Sequence, residues 1–396
     1  MRFVLTAFIS YIIVNIGQII LKNHKKLLRY VGFVQNVLEE EDIRVKPEKV
    51  YACFNKDKDV RLSSSSGAVF SSLAEYVLNK NGIVYGVTMS EDCYSAEFIA
   101  VTDRSGLTKL RGSKYLQAKV GDTFKKVKVE LQAGKLVLFT GTGCQVNGLK
   151  NFLGKDYDNL ICMDVICHGV PSPALWREYA QYQEKKMRGK LKSINFRCKD
   201  DSWADFVMKE VIKSIPKNKM EKYFISKDND SYMRMFLQDY CLRPSCYECT
   251  AKKVKMSDLT IADFWGINNV APDMDDGLGT SLVLIRTAKG NELFESANRN
   301  MKMKEVSYED GVKGNPAEYR SCVRPSERDK FFEDMRTMRF EELKEKYAAP
   351  IRYSLKTRVK RKIKATIRKI LRVIGGQKVS NGDYGLLFVF NSEEIL

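Results

Sequence analysis

Histidine is almost absent from this chain: His24 and His168 are the only two among 396 residues. Multi-histidine metal centres and the paired-histidine signature of helical metalloproteases are thereby excluded. Cysteine is sparse too, with ten residues scattered between Cys53 and Cys322. That is far below the density of a small secreted disulfide scaffold and leaves reduced thiols or metal ligands as the reading. Nine prolines and 25 glycines, against 44% hydrophobic residues, rule out collagenous and wholly disordered chains. No repeat of solenoid period is present, and the length allows two or three domains with cores of their own.

Acid is missing from one stretch. Residues 351–375 hold ten Lys or Arg and no Asp or Glu, so much of the net charge of +18 belongs to a tail. Between those cations Ile351, Leu355, Val359, Ile363, Ile367, Ile370 and Ile374 recur every three or four residues, the pattern of a basic amphipathic helix stopped by Gly375 and Gly376. Such a helix suits an anionic membrane surface, or lies solvated on its own domain. Nucleic acid is not expected, because no recognition fold accompanies the charge. At the other end Phe3 to Leu21 is uncharged and is followed by Lys22, Lys25, Lys26 and Arg29. This apolar N-terminal helix is long enough to span a bilayer with the body on the cytoplasmic side; with Thr6, Ser10, Asn15 and Gln18 on it, it could equally lie buried against the protein or a partner. The expected location is cytoplasmic, associated with the inner face of the membrane.

Between these ends, apolar strands alternate with amphipathic helices: strands at 51–55, 83–88, 136–140 and 160–166, helices at 68–79, 123–132, 145–153 and 174–186. Alternation of this kind predicts an α/β (mixed α+β) fold, mixed sheets flanked by helices. After residue 190 the pattern changes to shorter strands at 193–197, 259–262 and 281–286, with longer polar connections.

Three cysteine contexts place a thiol where a metal could use it. Residues 141–145, GTGCQ, follow a strand and set Cys144 at the start of the next helix, where unpaired amides and the helix dipole favour a thiolate. Residues 167–173, CHGVPSP, again sit between strand and helix, with Ser172 as N-cap and Pro173 at the first helical position. Two parallel strands ending this way would bring Cys144 and Cys167 to one sheet edge. Residues 243–249, RPSCYEC, add Cys246 and Cys249 in a spacing that lets two sulfurs hold one centre. Four thiols suit a 4Fe-4S cluster or a four-cysteine zinc site, with Cys241 a spare; Cys53, Cys93, Cys162, Cys198 and Cys322 read as core or surface residues. The serine run ending at Gly67 is a generic anion-binding device, and 110–115, LRGSKY, supplies Lys114 and Tyr115 after a turn. His168 reads as a proton donor or a turn hydrogen-bonder.

Taken in order, SSSSGAVFS (63–71), LRGSKY, GTGCQ, CHGVPSP, RPSCYEC and DFWG (263–266) resemble the coenzyme F420 hydrogenase/dehydrogenase beta-subunit family over about residues 50–335. The resemblance implies an iron-sulfur flavoprotein oxidoreductase. A 4Fe-4S cluster would be held by Cys144, Cys167, Cys246 and Cys249, and FAD would be contacted by Ser65, Ser66 and Gly67 and lined by Lys114 and Tyr115. Electrons would pass to a redox partner protein such as a ferredoxin, or to a deazaflavin or other small-molecule acceptor. Many bacterial members are associated with surface-polysaccharide synthesis. The expected organisation is an apolar helix and linker at 1–49, a flavin-binding region at 50–133, a cluster-binding domain at 134–335 and a basic helical tail at 336–396. Two departures stand out: no cysteine precedes Cys53, so the family's frequent N-terminal ferredoxin module has no counterpart here, and Gly143 stands where the family usually has proline. The alternative is a non-catalytic, membrane-associated scaffold whose four thiols hold zinc or nothing.

Overall fold

The computed structural model describes residues 45–199 and 203–348. The apolar N-terminal segment and the amphipathic tail fall outside them. Among the described residues no helix is long and apolar enough to cross a membrane.

Among the described residues, twelve strands form two sheets. In chain order they are β1 (Lys49–Asn55), β2 (Ile83–Met89), β3 (Ala96–Val101), β4 (Ala118–Lys119), β5 (Val137–Thr142), β6 (Leu160–Val165), β7 (Gly189–Cys198), β8 (Val207–Ser214), β9 (Met220–Ser226), β10 (Leu259–Asp263), β11 (Ser281–Ile285) and β12 (Met301–Glu305). The larger sheet runs β12-β1-β11-β10-β6-β5-β2-β3-β4 and the smaller β7-β8-β9. In the larger sheet β2, β5, β6 and β10 are mutually parallel, whereas β1 pairs antiparallel with both β11 and β12. The fold is thus mixed α/β with helices on the sheet faces, as the alternation predicts. Because β1 lies between β11 and β12, the stretches 50–133 and 134–335 share one sheet.

Register decides what reaches the sheet edge. Thr142 pairs with Val165 at the ends of β5 and β6, and Val165 pairs with Ile261 of β10. Cys144, Cys167 and Asp263 therefore each lie two residues past one line of paired positions, at the carboxyl ends of three neighbouring parallel strands. That is where open α/β sheets place their sites. Gly143 opens the helix Gly143–Leu153, and a Cβ there would come within 2.9 Å of Asp164 Oδ2 and 3.2 Å of the Ala251 Cβ. No side chain fits without a shift, so the departure from proline is enforced by packing.

The small sheet packs with the helix Pro173–Met187 and the helix Ser231–Leu237 around Trp176, Tyr179, Phe196, Tyr232 and Phe236, all buried. Burying a ring such as Phe196 contributes about 1.5–3 kcal/mol. Ser172 does occupy the N-cap of the first of these helices, with Pro173 following, although its hydroxyl makes no capping bond.

Candidate functional site

All four cysteines singled out above line one cleft. Cys144, Cys167, Cys246 and Cys249 share its wall with Gly143, Asp164, Val170, Lys252, Lys255 and Glu318, around about 440 Å3 of empty space that includes the open mouth. Cys144 is exposed and the other three are half-buried. The turns are held firmly: Gln145 Oε1 accepts from the Thr142 amide at 2.9 Å, the Val170 amide donates to Cys246 Sγ at 3.4 Å, and the Cys249 amide donates to Ser321 Oγ at 2.9 Å. Lys252 Nζ donates to the carbonyls of both Cys167 and Ala317, tying the Cys167 turn to the far wall.

Charge and spacing say what the cleft can hold. Burial pushes the Cys167 thiol up to about 12, and Cys144, Cys246 and Cys249 add repulsion that Lys252 opposes. A cationic centre would relieve the repulsion that opposes ionisation of Cys167, displacing thiol protons on binding. Among the described residues no three of these sulfurs come within 4.8 Å of one another, whereas one tetrahedral zinc with bonds of about 2.3 Å needs its sulfurs about 3.8 Å apart. In a four-iron cluster each thiolate takes a different iron, which sets the sulfurs wider. Behind the cleft Glu318, 1% exposed, accepts from Arg286 at 2.5 Å and lies 3.2 Å from Lys255. Burial raises the Asp164 carboxyl, and its Oδ1 accepts from Thr260 Oγ1 at 2.5 Å.

The residues expected at the flavin come together in part. Ser65 Oγ meets Ser113 Oγ at 3.0 Å and accepts from the Ser113 amide at 2.8 Å, so the serine turn and the LRGSKY turn are in contact. Ser66 Oγ donates to Thr280 O. Gly67 is engaged by the fold instead: its amide donates to Ser281 Oγ at 3.0 Å, and a Cβ would lie 2.4 Å from Cys53 O. Lys114 Nζ donates to the carbonyls of Lys109, Leu110 and Arg111, closing the end of the helix Arg104–Leu110, and burial lowers it to about 7. Tyr115 packs between Phe196 and Phe236, with ring centroids 5.8 and 5.2 Å away.

Sequence reasoning missed the cations of this region. A register shift between Asn195 and Cys198 interrupts the β7–β8 ladder, and Arg197, 4% exposed, pairs there with Asp263. Bulges re-aim side chains in this way. Among the described residues, Arg197 Nε and Nη2 are buried without a well-formed hydrogen bond, while Tyr115 interacts with the guanidinium. Lys199 Nζ donates to Ser66 O at 2.6 Å and Leu278 O at 2.8 Å, and Trp203 stacks on Trp265 at 4.8 Å. The only advance signal was DFWG, which read as an aromatic corner.

Two family models match: the N-terminal part of the coenzyme F420 hydrogenase/dehydrogenase beta subunit over residues 50–125 and its C-terminal part over 134–310, together more than half of the chain. The chain belongs to this family. Membership makes it an oxidoreductase-type protein that works in electron transfer. No curated protein matches. Among solved structures, a chain of the F420-reducing NiFe hydrogenase complex from Methanosarcina barkeri is similar at 14% identity, covering 70% of this chain and 89% of that one, with a TM-score of 0.46.

Proposed function

We propose that this family member is an iron-sulfur flavoprotein oxidoreductase, with Cys144, Cys167, Cys246 and Cys249 holding a 4Fe-4S cluster and FAD bound where Ser65, Ser66, Lys114, Tyr115, Arg197 and Lys199 gather. The observation that carries this reading is the convergence of four thiols from three separate turns on one cleft. The buried Arg197 guanidinium, with Tyr115 beside it and two donors short of a well-formed hydrogen bond, fits an anionic cofactor, because such donors are kept only at a cost that a phosphate or ring oxygen would recover. When bound, the flavin supplies two-electron chemistry and the cluster single-electron transfer.

The chain's own groups set the conditions. The Val170 amide on Cys246 Sγ and the nearby Lys252 ammonium both stabilise negative charge on the sulfurs, which favours the reduced state of a cluster. Tyr115, Phe196 and Phe236 exclude water on one side of the expected flavin region. Exposure of Cys144 puts the edge of the centre at the surface, where a redox partner protein such as a ferredoxin would dock. A deazaflavin or another small-molecule acceptor, a role in surface-polysaccharide synthesis and attachment of the tail to an anionic membrane belong to the same proposal. The test is an anaerobic dithionite titration followed by visible absorption. Uptake of about three electrons per chain, two by flavin and one by the cluster, supports it, and uptake of none overturns it.

A further inference from the structure

We propose that His168, Asp239 and Cys322 form a second metal site, adjoining the four-thiol cleft whose wall His168 shares, that takes one divalent transition-metal ion, zinc foremost. His168 Nε2 and Asp239 Oδ1 lie 2.6 Å apart, Cys322 Sγ donates to the His168 carbonyl at 2.6 Å, and the three ligand atoms all fall within 4.8 Å of one another. Tetrahedral bonds of about 2.0–2.3 Å place ligand atoms roughly 3.3–3.7 Å apart, so small side-chain rotations suffice to close the set on an ion. Among the described residues this is the one group of three His, Cys, Asp or Glu atoms so close together.

Three chain segments far apart in sequence build it, and each ligand is oriented by a neighbour. The His168 ring stands edge-on to Phe236 with centroids 5.3 Å apart. Asp239 adopts a left-handed conformation with φ of 64°, and its carbonyl accepts from Tyr247 OH at 2.5 Å. That hydroxyl in turn accepts from Arg328 Nε at 3.2 Å. Such fixed outer contacts are what metal ligands require. Cys322 also differs from Cys53, Cys93, Cys162, Cys198 and Cys241, all of which are buried. Thiolate, imidazole and carboxylate together suit zinc or ferrous iron rather than magnesium or calcium. The His168 side chain is 42% exposed, so the fourth position opens to solvent and would hold water or a heteroatom of a small ligand.

The test measures zinc by elemental analysis after equilibration of the full chain with Zn2+ and removal of loosely bound ion. Iron is read in the same samples, so loss of the cluster proposal and loss of this one are told apart. Cys322→Ser and Asp239→Asn should each lower bound zinc by about one per chain relative to wild type, with affinity reduced about tenfold or more, while iron stays at the wild-type level. Asp239→Asn preserves size and hydrogen bonding, which separates ligation from folding. With Co2+ as the probe, thiolate-to-cobalt absorption should be present in wild type and vanish in Cys322→Ser. Wild-type zinc content and cobalt absorption in both Cys322→Ser and Asp239→Asn would overturn the proposal.

Discussion

The four-thiol cleft and the Arg197 region lie at the ends of neighbouring strands of one sheet, yet they are built differently. In the cleft every proposed ligand comes from a short turn with its own signature, and the sheet register alone brings two of them together. In the Arg197 region the charged groups come from an irregular strand of the other sheet and a buried ion pair. The cleft is specified locally and the cation pocket by tertiary packing, so substitutions should separate them: cleft changes act on metal, and pocket changes act on stability and flavin together.

The largest effect is expected at the cleft. Cys246→Ser or Cys249→Ser should remove most of the bound iron, whereas Cys322→Ser should leave it, as checked by iron and sulfide analysis. Equal iron in all three variants would erase the comparison.

Next comes Arg197→Ala. It strands Asp263, whose side chain is 15% exposed, and breaking one partner of a buried pair costs about 3–5 kcal/mol. Denaturant unfolding should show this loss, with weaker flavin retention and unchanged iron. A variant as stable as wild type that keeps its flavin would remove the cation from the pocket's function.

Gly67→Ala should cost about 1–3 kcal/mol through overpacking against Cys53 O and Ser281. This packing role stands beside the proposed contact of Gly67 with flavin phosphates, since its amide also donates to Ser281 Oγ. Unfolding of the flavin-free protein measures it, and an unchanged midpoint would return Gly67 to a binding role.

The smallest effect is a pH dependence. Burial, with Arg61 and Arg197 nearby and Asp263 and Asp276 opposing, lowers the Lys199 ammonium to about 7, against about 10.4 when unfolded. Between those values the unfolded chain binds the extra proton, so stability rises with pH across that window, by at most about 1.4 kcal/mol per unit, and flattens below 7. Unfolding at pH 7.5 and 9.5 should show wild type gaining stability relative to Lys199→Met; parallel changes would refute it.

The same contrast explains what could be read from the sequence. The strands and helices around the cleft were legible almost to the residue, because apolar runs such as Leu160–Val165 end in glycine or proline turns. β8 was not: Val207-Met208 and Val211-Ile212 separated by Lys209-Glu210 repeat every four residues, a helical period, and only pairing with β7 and β9 makes the segment a strand. β9 has no fully buried residue, and its apolar run Tyr223–Ile225 is too short to mark a strand. The four thiols were each visible at a turn. Arg197 was not, since a bulge rather than a motif turns it inward. Cys241, held as a spare ligand, is fully buried in the core, and Cys322, read as an ordinary residue, lies against the His168 turn only through long-range folding.

The most direct measurement is cofactor analysis of anaerobically purified, full-length protein. The expected result is a brown protein with broad visible absorption, about four iron and four sulfide per chain, and one releasable FAD. A colourless protein, with zinc or no metal bound through Cys144, Cys167, Cys246 and Cys249 and no flavin, would contradict it.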